Sequence, residues 1–360
     1  MRSFRQRVFD SFFYGFDNWW YPMFNNIWLM YHYGFKRCGP EFNRDYREKI
    51  RPYWAGYGVR VKKHWFKYLY KLSGSTDPRY IPHNLFLGKI VPYFDDSMYI
   101  RQLADKNLHT ILFPNVKRPE TVFKRIGHSY LEDDFVPITK EEAYARLKQP
   151  GDYIIKPTRD SGQGADIRFF RSMQTDEEID GLLKLYDGKT DYIIQHTVAQ
   201  HPAFARLNGS SLNTMRIVTL VFRDKPYILS SILRIGGSGS RVDNVSKGGY
   251  QCTIRPDGTL EPLAYTSRSG KSEMVEENED GLRWADFTVP CFEKVRETAL
   301  DLAVHLPHLK LIGWDLALDE NGDVVLIEFN CQIGQNQATC GPTFGDITED
   351  VLTDVFKKHK

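Results

Sequence analysis

The stretch from Leu311 to Asn330 constrains this chain more than any other. Two apolar runs, Leu311 to Leu318 and Val324 to Asn330, are separated by Asp-Glu-Asn-Gly-Asp. Asn321-Gly322 is the pair that best tolerates positive φ in a two-residue loop, so the spacing predicts an antiparallel hairpin folded about it. With that loop Glu320 pairs with Asp323. Counting outward sets Asp315 directly across from Glu328, with Asn330 projecting from the same face. Two facing carboxylates repel. A bound divalent cation removes the conflict, and an Asp, Glu and Asn oxygen set suits magnesium. A solvent-facing hairpin with scattered acids is the alternative, and the hairpin alone does not choose.

A chain of 360 residues with 41% apolar and 26% charged residues is globular and long enough for two or three packed subdomains. A net charge of +2 gives no reason to expect nucleic acid. The basic character is local: residues 1–71 hold fourteen Lys/Arg against five Asp/Glu, and the remainder is acidic. Twelve of residues 11–35 are aromatic, but Asp17, Asn18, Asn25, Asn26 and His32 interrupt them. No run approaches the ~20 apolar residues that span a bilayer. This arm reads either as an interfacial helix on a membrane or as an arm docked on the main body or a second subunit. Five cysteines, odd in number and without a CxxC pair, argue against a disulfide framework or a zinc site and fit a reducing cytoplasm.

Residues 36–100 read as a mainly helical lead-in, irregular between Ile81 and Pro92. Ile100 to Lys106 suggests a short helix. Thr139 to Glu142 is a capping box, and Tyr153 to Ile155 is a strand that delivers Lys156. Gly162-Gln163-Gly164 then turns into a second strand. Strand-turn-strand is neither a P-loop nor a Rossmann fingerprint, although backbone N–H groups beside a lysine can close over phosphates. After a second capping box at Thr175 a strand ends in Gln195-His196. The apolar runs Ile217 to Phe222 and Tyr227 to Ile235 predict central strands. A long polar loop from Gly236 to Gly249 reads as a binding element, Ser272 to Asp280 as an acidic loop, and Pro290 to Leu306 and Ile347 to Lys357 as helices.

Lys106, Lys156, the Gly162/Gly164 hairpin, Gln195, Arg216 and the Asp315, Glu328, Asn330 face occur in an order that resembles the ATP-grasp superfamily, which includes D-alanine:D-alanine ligases, glutathione synthetases and ribosomal-protein glutamate ligases. Ala104 to Leu108, Ser211 to Arg216, Val242 to Gly249, Gly313-Trp-Asp315 and Glu328-Phe-Asn330 are most similar to the sugar-transfer-associated ATP-grasp proteins encoded beside polysaccharide genes. The resemblance implies an α+β ATP-grasp fold, two subdomains clasping ATP, behind a mainly helical N-terminal extension. The expected divisions are 1–76 for the extension, 77–130 for the first part of the ATP-grasp region, 131–197 for a small lid, and 198–360 for the central subdomain with the metal site.

Position by position, the resemblance implies that Lys106 and Lys156 contact the α and β phosphates and that Gly162, Gln163 and Gly164 close over the triphosphate. Gln195, His196 and the backbone to Val198 would line the adenine pocket. Asp315, Glu328 and Asn330 would hold two Mg²⁺ ions, or Mn²⁺, with Glu328 bridging. Arg216 would grip the transferring phosphoryl group, and Asp243, Asn244, Lys247, Gly248 and Gly249 match the family's mobile loop near the acceptor. His201, a lone histidine after a strand, is a lesser candidate for substrate contact. Many family ligases continue after the metal Asn with Pro-Gly; here it is Cys331-Gln-Ile-Gly334, with Gly334 expected to preserve the turn. Cys331 and Cys340 read as structural thiols, since no basic activator accompanies them.

The implied activity is ATP- and Mg²⁺-dependent ligation of a carboxylate to an amine through an acyl phosphate. The substrate would be a sugar-linked, glycan-linked or amino-acid carboxylate in surface polysaccharide assembly, and the protein would be cytoplasmic, at most peripheral to the inner face of the membrane. An ATP-grasp kinase acting on a hydroxyl and a non-catalytic ATP-binding module are the competing readings.

Overall fold

The computed structural model describes residues 38–159, 166–241, 243, 245, 248–268, 271–331 and 333–357. The aromatic arm to residue 37, Gly162, Gln163, Gly164, Asn244 and Lys247 lie outside them.

Two antiparallel sheets carry the fold. The first contains β1 (Thr121–Ile126), β2 (Ser129–Leu131), β3 (Pro137–Ile138), β4 (Asp152–Pro157), β5 (Arg168–Arg171) and β6 (Tyr192–His196), in the order β3-β2-β1-β6-β4-β5. Helices Lys140–Leu147 and Asp176–Leu183 each begin with a complete capping box, Thr139 with Glu142 and Thr175 with Glu178. They bury one face of this sheet through Phe123, Tyr153, Ile155, Ile179 and Ile194. Strand alternation therefore sends Lys156 and Gln195 to the other face.

The second sheet contains β7 (Thr214–Phe222), β8 (Lys225–Ile235), β9 (Tyr250–Ile254), β10 (Leu260–Arg268), β11 (Lys271–Val275), β12 (Leu311–Leu318) and β13 (Val324–Asn330), in the order β11-β10-β9-β8-β7-β12-β13. Helix Phe292–Ala303 covers one face, packing Val295, Ala299 and Leu302 onto Ile217, Leu233 and Trp314. On the opposite face Val218, Leu220, Phe222 and Leu311 meet Trp54, Phe86 and Phe94 of the N-terminal helices and Val351 and Leu352 of helix Thr348–Phe356. Cover on both faces explains the near-continuous apolar runs of β7 and β12. Arg216 and Asp315 interrupt those runs on the second face, which marks the functional end of the sheet.

Three expectations are corrected. The segment after Ile81 is helical, through His83–Leu85, Phe86–Ile90 and Val91–Phe94; Pro92 falls directly after the π-helical turn Phe86–Ile90, where the regular α-helical ladder is already interrupted. The acidic stretch after Ser272 begins as β11, paired with β10 at the sheet edge, where charged side chains are tolerated. The helix expected to run to Lys106 is Ser97–Leu103, capped by Asp96, while Lys106 opens a separate 3₁₀ turn, Lys106–Leu108, capped by Asp105.

The hairpin places Asp315 opposite Glu328 by an unexpected route. Gly322 takes φ of 80° and Asn321 does not share it. The Asp319 carbonyl accepts from Gly322 N–H at 3.0 Å and Asp319 N–H donates to the Asp323 carbonyl at 3.0 Å, so the loop is three residues long, not two. Leu318 then pairs with Val324, one position out of the counted register, and a bulge between the Asp315 and Leu316 pairs restores it.

Candidate active site

Glu328 on β13, Asp315 on β12, Arg216 on β7 and Ile232 on β8 are successive register partners across the sheet. Arg216 pairs with Asp315 through Nε and through Nη2, the latter donating to Oδ2 at 2.8 Å. Arg234, opposite Thr214 in the neighbouring register, donates from Nη1 to Asp315 Oδ2 at 3.0 Å. Asn330 Nδ2 reaches the same oxygen at 3.3 Å. Arg234 Nη2 also lies 3.4 Å from Asp243 Oδ1, and the Thr214 hydroxyl donates to Asp243. The loop after β8 is thus pinned over this end of the sheet at Asp243. Gly248 takes φ of 83° as the loop returns, and the Gly249 carbonyl accepts from Thr266 at 2.9 Å. Arg234 was not singled out from sequence, although a lone cation inside the apolar run Leu233-Arg-Ile235 is the same signal that exposes Arg216.

Charge shapes every ionisable group here. Burial would raise the Glu328 carboxyl, but Lys106, Lys156 and Arg216 outweigh it and hold the group at about 2. Burial would lower Arg216; Asp315 beside it reverses the sign. Burial raises Asp243 despite Arg234 and Thr214. Lys106 Nζ lies 3.2 Å from Glu328 Oε2, and its backbone N–H donates to the Thr158 carbonyl at 3.0 Å, tying the 3₁₀ turn to the end of β4. Lys156, buried near that end, is pushed down to about 8 by burial and by Lys106, against the pull of Glu328. His109 is held well below its ordinary value by burial and four neighbouring cations, so its imidazole is neutral.

A cleft of about 300 Å³, open to solvent, lies between the sheets, lined by Lys106, His109, Lys156, Gln195, Leu326 and Ile327 among others. Gln195 Nε2 donates to the Pro119 carbonyl at 3.2 Å, while its buried Oε1 has no partner among the described residues. His196 is not among the residues lining the cleft: its ring packs on Tyr153 with centroids 4.9 Å apart, on the helix-covered face. Val198 is half-buried just beyond β6.

The structure does not bring His201 to this cluster. Its Nδ1 accepts from Ala203 N–H at 3.2 Å, capping helix Pro202–Ala205, and its own N–H donates to the Leu318 carbonyl at 2.9 Å beside the hairpin loop. Gly334 is not among the residues with positive φ, so the chain does not need glycine there for its turn. The loop after Asn330 is held instead by Gln337, which exchanges hydrogen bonds of 2.8 and 2.9 Å with the Ile81 backbone. Burial pushes the Cys331 and Cys340 thiols up, away from thiolate nucleophiles.

Gly313 has a steric reason to be glycine. A Cβ there would lie 2.9 Å from Ile333 Cγ2 and 3.0 Å from Arg216 Cδ. Gly313→Ala is therefore expected to destabilise by ~1–3 kcal/mol and to dislodge Arg216. Thermal unfolding together with nucleotide turnover checks this, and a variant equal to wild type in both would refute the tight approach.

A family model described as sugar-transfer associated ATP-grasp matches residues 88–340. The chain belongs to this family. Its two sheets and flanking helices are the ATP-grasp fold. No curated protein matches the chain. Among solved structures, D-alanyl-alanine synthetase A from Vibrio cholerae O1 biovar eltor is similar at 15% identity and a TM-score of 0.42, over 70% of this chain and 65% of that one. The L-amino acid ligase from Bacillus licheniformis is similar at 13% identity and a TM-score of 0.38, over 71% and 48%. The biotin carboxylase domain of the Hydrogenobacter thermophilus 2-oxoglutarate carboxylase, solved with MgADP, ADP and bicarbonate, is similar at 14% identity and a TM-score of 0.42, over 72% and 47%. The chain thus spans between about half and two thirds of the length of these proteins.

The ATP-grasp cleft fits a nucleotide on its own chemistry. Gln195 Oε1 is a buried acceptor without a donor among the described residues, as an amino-bearing base requires, and Lys106 and Lys156 supply positive charge next to it. For a divalent ion the donors are oxygens only. Among the described residues no three His, Cys, Asp or Glu side chains gather into a metal site. Two carboxylates and an amide oxygen nevertheless suit magnesium, which keeps water and phosphate oxygens in its shell.

Proposed function

We propose that the protein is an ATP- and magnesium-dependent carboxylate-amine ligase working through an acyl phosphate. The observation that carries this reading is Glu328, held as a carboxylate by Lys106, Lys156 and Arg216 beside a cleft where the amide oxygen of Gln195 has no partner among the described residues. Lys106 and Lys156 would meet the α and β phosphates as fixed charges. Asp315, Glu328 and Asn330 would hold Mg²⁺, or Mn²⁺ in its place. When bound, the ion supplies neutralising charge at the β and γ phosphates.

A substrate carboxylate oxygen forms a bond to the γ phosphorus as the bond to ADP breaks, and Arg216 stabilises the negative charge on the transferring group. The amine then bonds to the acyl carbon, phosphate leaves with the C–O bonding pair, and the nitrogen loses a proton. Positioning and electrostatics carry both steps, so no protein nucleophile is required. Gly162, Gln163 and Gly164 would cover the phosphates, and Asn244 and Lys247 the acceptor.

Within this reading the acid is a sugar-linked or amino-acid carboxylate in surface polysaccharide assembly, and of this the family's description supports the link to sugar transfer. Among the described residues no helix is long and apolar enough to cross a membrane. The basic aromatic arm, residues 1–37, would meet a membrane surface on the cytoplasmic side or a second subunit.

Incubation with Mg-ATP and pools of carboxylates and amines, following phosphate and product mass, tests the reading. Phosphate release that requires both an acid and an amine is expected. A phosphorylated product that persists at neutral pH would make the protein a kinase instead, and nucleotide binding without turnover would leave a binding module.

A further inference from the structure

The N-terminal helices carry a charge imbalance that the reaction does not use. Residues 38–71 hold nine Lys/Arg against three Asp/Glu. Helix Lys63–Ser73 buries Trp65, Phe66 and Leu69, so at about 3.6 residues per turn Lys63, Lys67 and Lys71 form a stripe on its opposite side. On the preceding helices, Pro40–Asp45, Tyr46–Ile50 and Arg51–Ala55, the buried Phe42, Ile50 and Trp54 leave Arg44, Arg47, Lys49 and Arg51 exposed, with Glu41 and Glu48 among them. The two sets meet at Lys63, whose Nζ donates to Asn43 and lies 5.8 and 5.6 Å from the ring centroids of Phe42 and Tyr46. Burial lowers the Lys63 ammonium, and Lys67 and Arg47 close by lower it further. Little of this charge is answered within the fold. Asp45 takes Arg44 and Lys49, while Arg47, Arg51, Arg60, Lys62 and Lys71 have no acidic partner among the described residues. Like charges four residues apart on a helix repel, so the lysine stripe costs stability unless an anion from outside the chain answers it.

We propose that this face, from Arg44 to Arg51 and from Lys63 to Lys71, docks on an anionic lipid surface and meets its headgroup phosphates with Arg47, Arg51, Lys67 and Lys71. The chain enters the face at Cys38. Residues 1–37, which precede it, hold five Lys/Arg against two Asp/Glu and twelve aromatic side chains between residues 11 and 35. Cations joined to aromatics suit the headgroup level of a bilayer, whereas a soluble polyanion calls for the cations alone. The face is also tied to the site. Trp65 lies 6.3 Å from the ring of His83, whose Nδ1 is 3.2 Å from Gln335 Oε1 in the loop after Asn330. Docking therefore holds that loop near the bilayer, where a lipid-linked acid or amine would reach it. That consequence rests on the ligase reading; the docking itself does not.

Co-sedimentation of the full chain with vesicles of phosphatidylcholine alone, or of phosphatidylcholine and phosphatidylglycerol in equal parts, tests the docking. Wild type is expected to partition onto the anionic vesicles only, and to be released by salt. The variant Arg47→Gln/Arg51→Gln/Lys67→Gln/Lys71→Gln should partition about 10²-fold more weakly or worse, at about fivefold per cation. A control that removes equal charge from the first sheet and its helices, Lys148→Gln/Arg171→Gln/Lys184→Gln/Lys189→Gln, should stay within about twofold of wild type. Circular dichroism confirms folding, and Arg47→Gln/Lys71→Gln, with a loss of about tenfold or more, serves if the fourfold variant unfolds. Wild-type-like partition of the variants, equal loss in the control, or no preference for the anionic vesicles overturns the proposal. A soluble acidic polysaccharide bound as tightly as the vesicles overturns it in favour of a glycan. None of these outcomes involves nucleotide turnover, so failure of the docking face and failure of the ligase reading are separately visible.

Discussion

Glu328→Gln is expected to lower nucleotide-dependent turnover by about 10³-fold or more in a protein that still folds. The substitution keeps shape and removes one charge. In wild type that charge balances Lys106 at 3.2 Å and is also felt by Lys156 and Arg216. Without it the cations face one another unscreened, and a divalent ion loses the donor best placed to neutralise phosphate. Folding should survive because the hydrophobic clusters on both faces of the sheet do not use Glu328. The variant should also lose an acid-sensitive part of its stability. Glu328 is held near 2 against an ordinary 4.5, so its contribution is complete above about 4.5 and disappears as the pH falls toward 2. Circular dichroism and acid titration of both proteins check the fold and the sign. Turnover equal to wild type would contradict the assignment of Glu328.

Lys156 predicts two pH effects of opposite sign in one window. Its ammonium is pushed down to about 8 from an ordinary 10.5. In the ligand-free protein it loses charge above about 8, so nucleotide affinity should fall by about tenfold per pH unit beyond that point, one proton per phosphate bound. Stability moves the other way. The unfolded chain holds the proton between about 8 and 10.5 and the folded chain does not, so unfolding free energy rises with pH across that range. The clean readout is the difference between wild type and Lys156→Gln, which cancels the other groups that titrate there. The variant should show a flat affinity profile, bind nucleotide about 10²-fold more weakly at pH 7, and lack the stability rise. A wild-type affinity that is constant from pH 7 to 10 would contradict a cationic role for Lys156.

The legible parts of the sequence were those set by local rules. Both capping boxes are formed, because a Ser/Thr and a Glu three residues apart satisfy each other without help from the rest of the chain. The register of Asp315 and Glu328 was also anticipated, but two departures cancel in it: a longer loop and a compensating bulge. Loop length depends on how Asp319 closes the turn, accepting from Asn321 at 3.0 Å and Asp323 at 2.8 Å, which residue spacing does not reveal. The helices between His83 and Phe94 were missed because Pro82 and Pro92 look like breakers. Pro82 caps the first of them, where proline is harmless, and Pro92 falls where a π-helical turn already interrupts the regular ladder.

At the site, Lys106, Lys156, Arg216, Asp315, Glu328 and Asn330 converge, as their order along the chain led one to expect. Arg234 and His109 did not announce themselves. Their roles come from tertiary neighbours: Asp315 across two strands for Arg234, and a ring of cations for His109. Nor did spacing show that the N-terminal helices steady the loop after Asn330, since the bonds between Ile81 and Gln337 join positions 256 residues apart.

Calorimetric titration of Mg-ATP into the wild-type chain, into Lys156→Gln and into Glu328→Gln, each with and without EDTA, tests most directly whether the charged face between the sheets is a nucleotide site. Single-site binding by wild type, lost with EDTA and strongly weakened in both variants, is the predicted result. Binding that is indifferent to EDTA and to both substitutions would place any nucleotide elsewhere on the molecule and contradict the assignment.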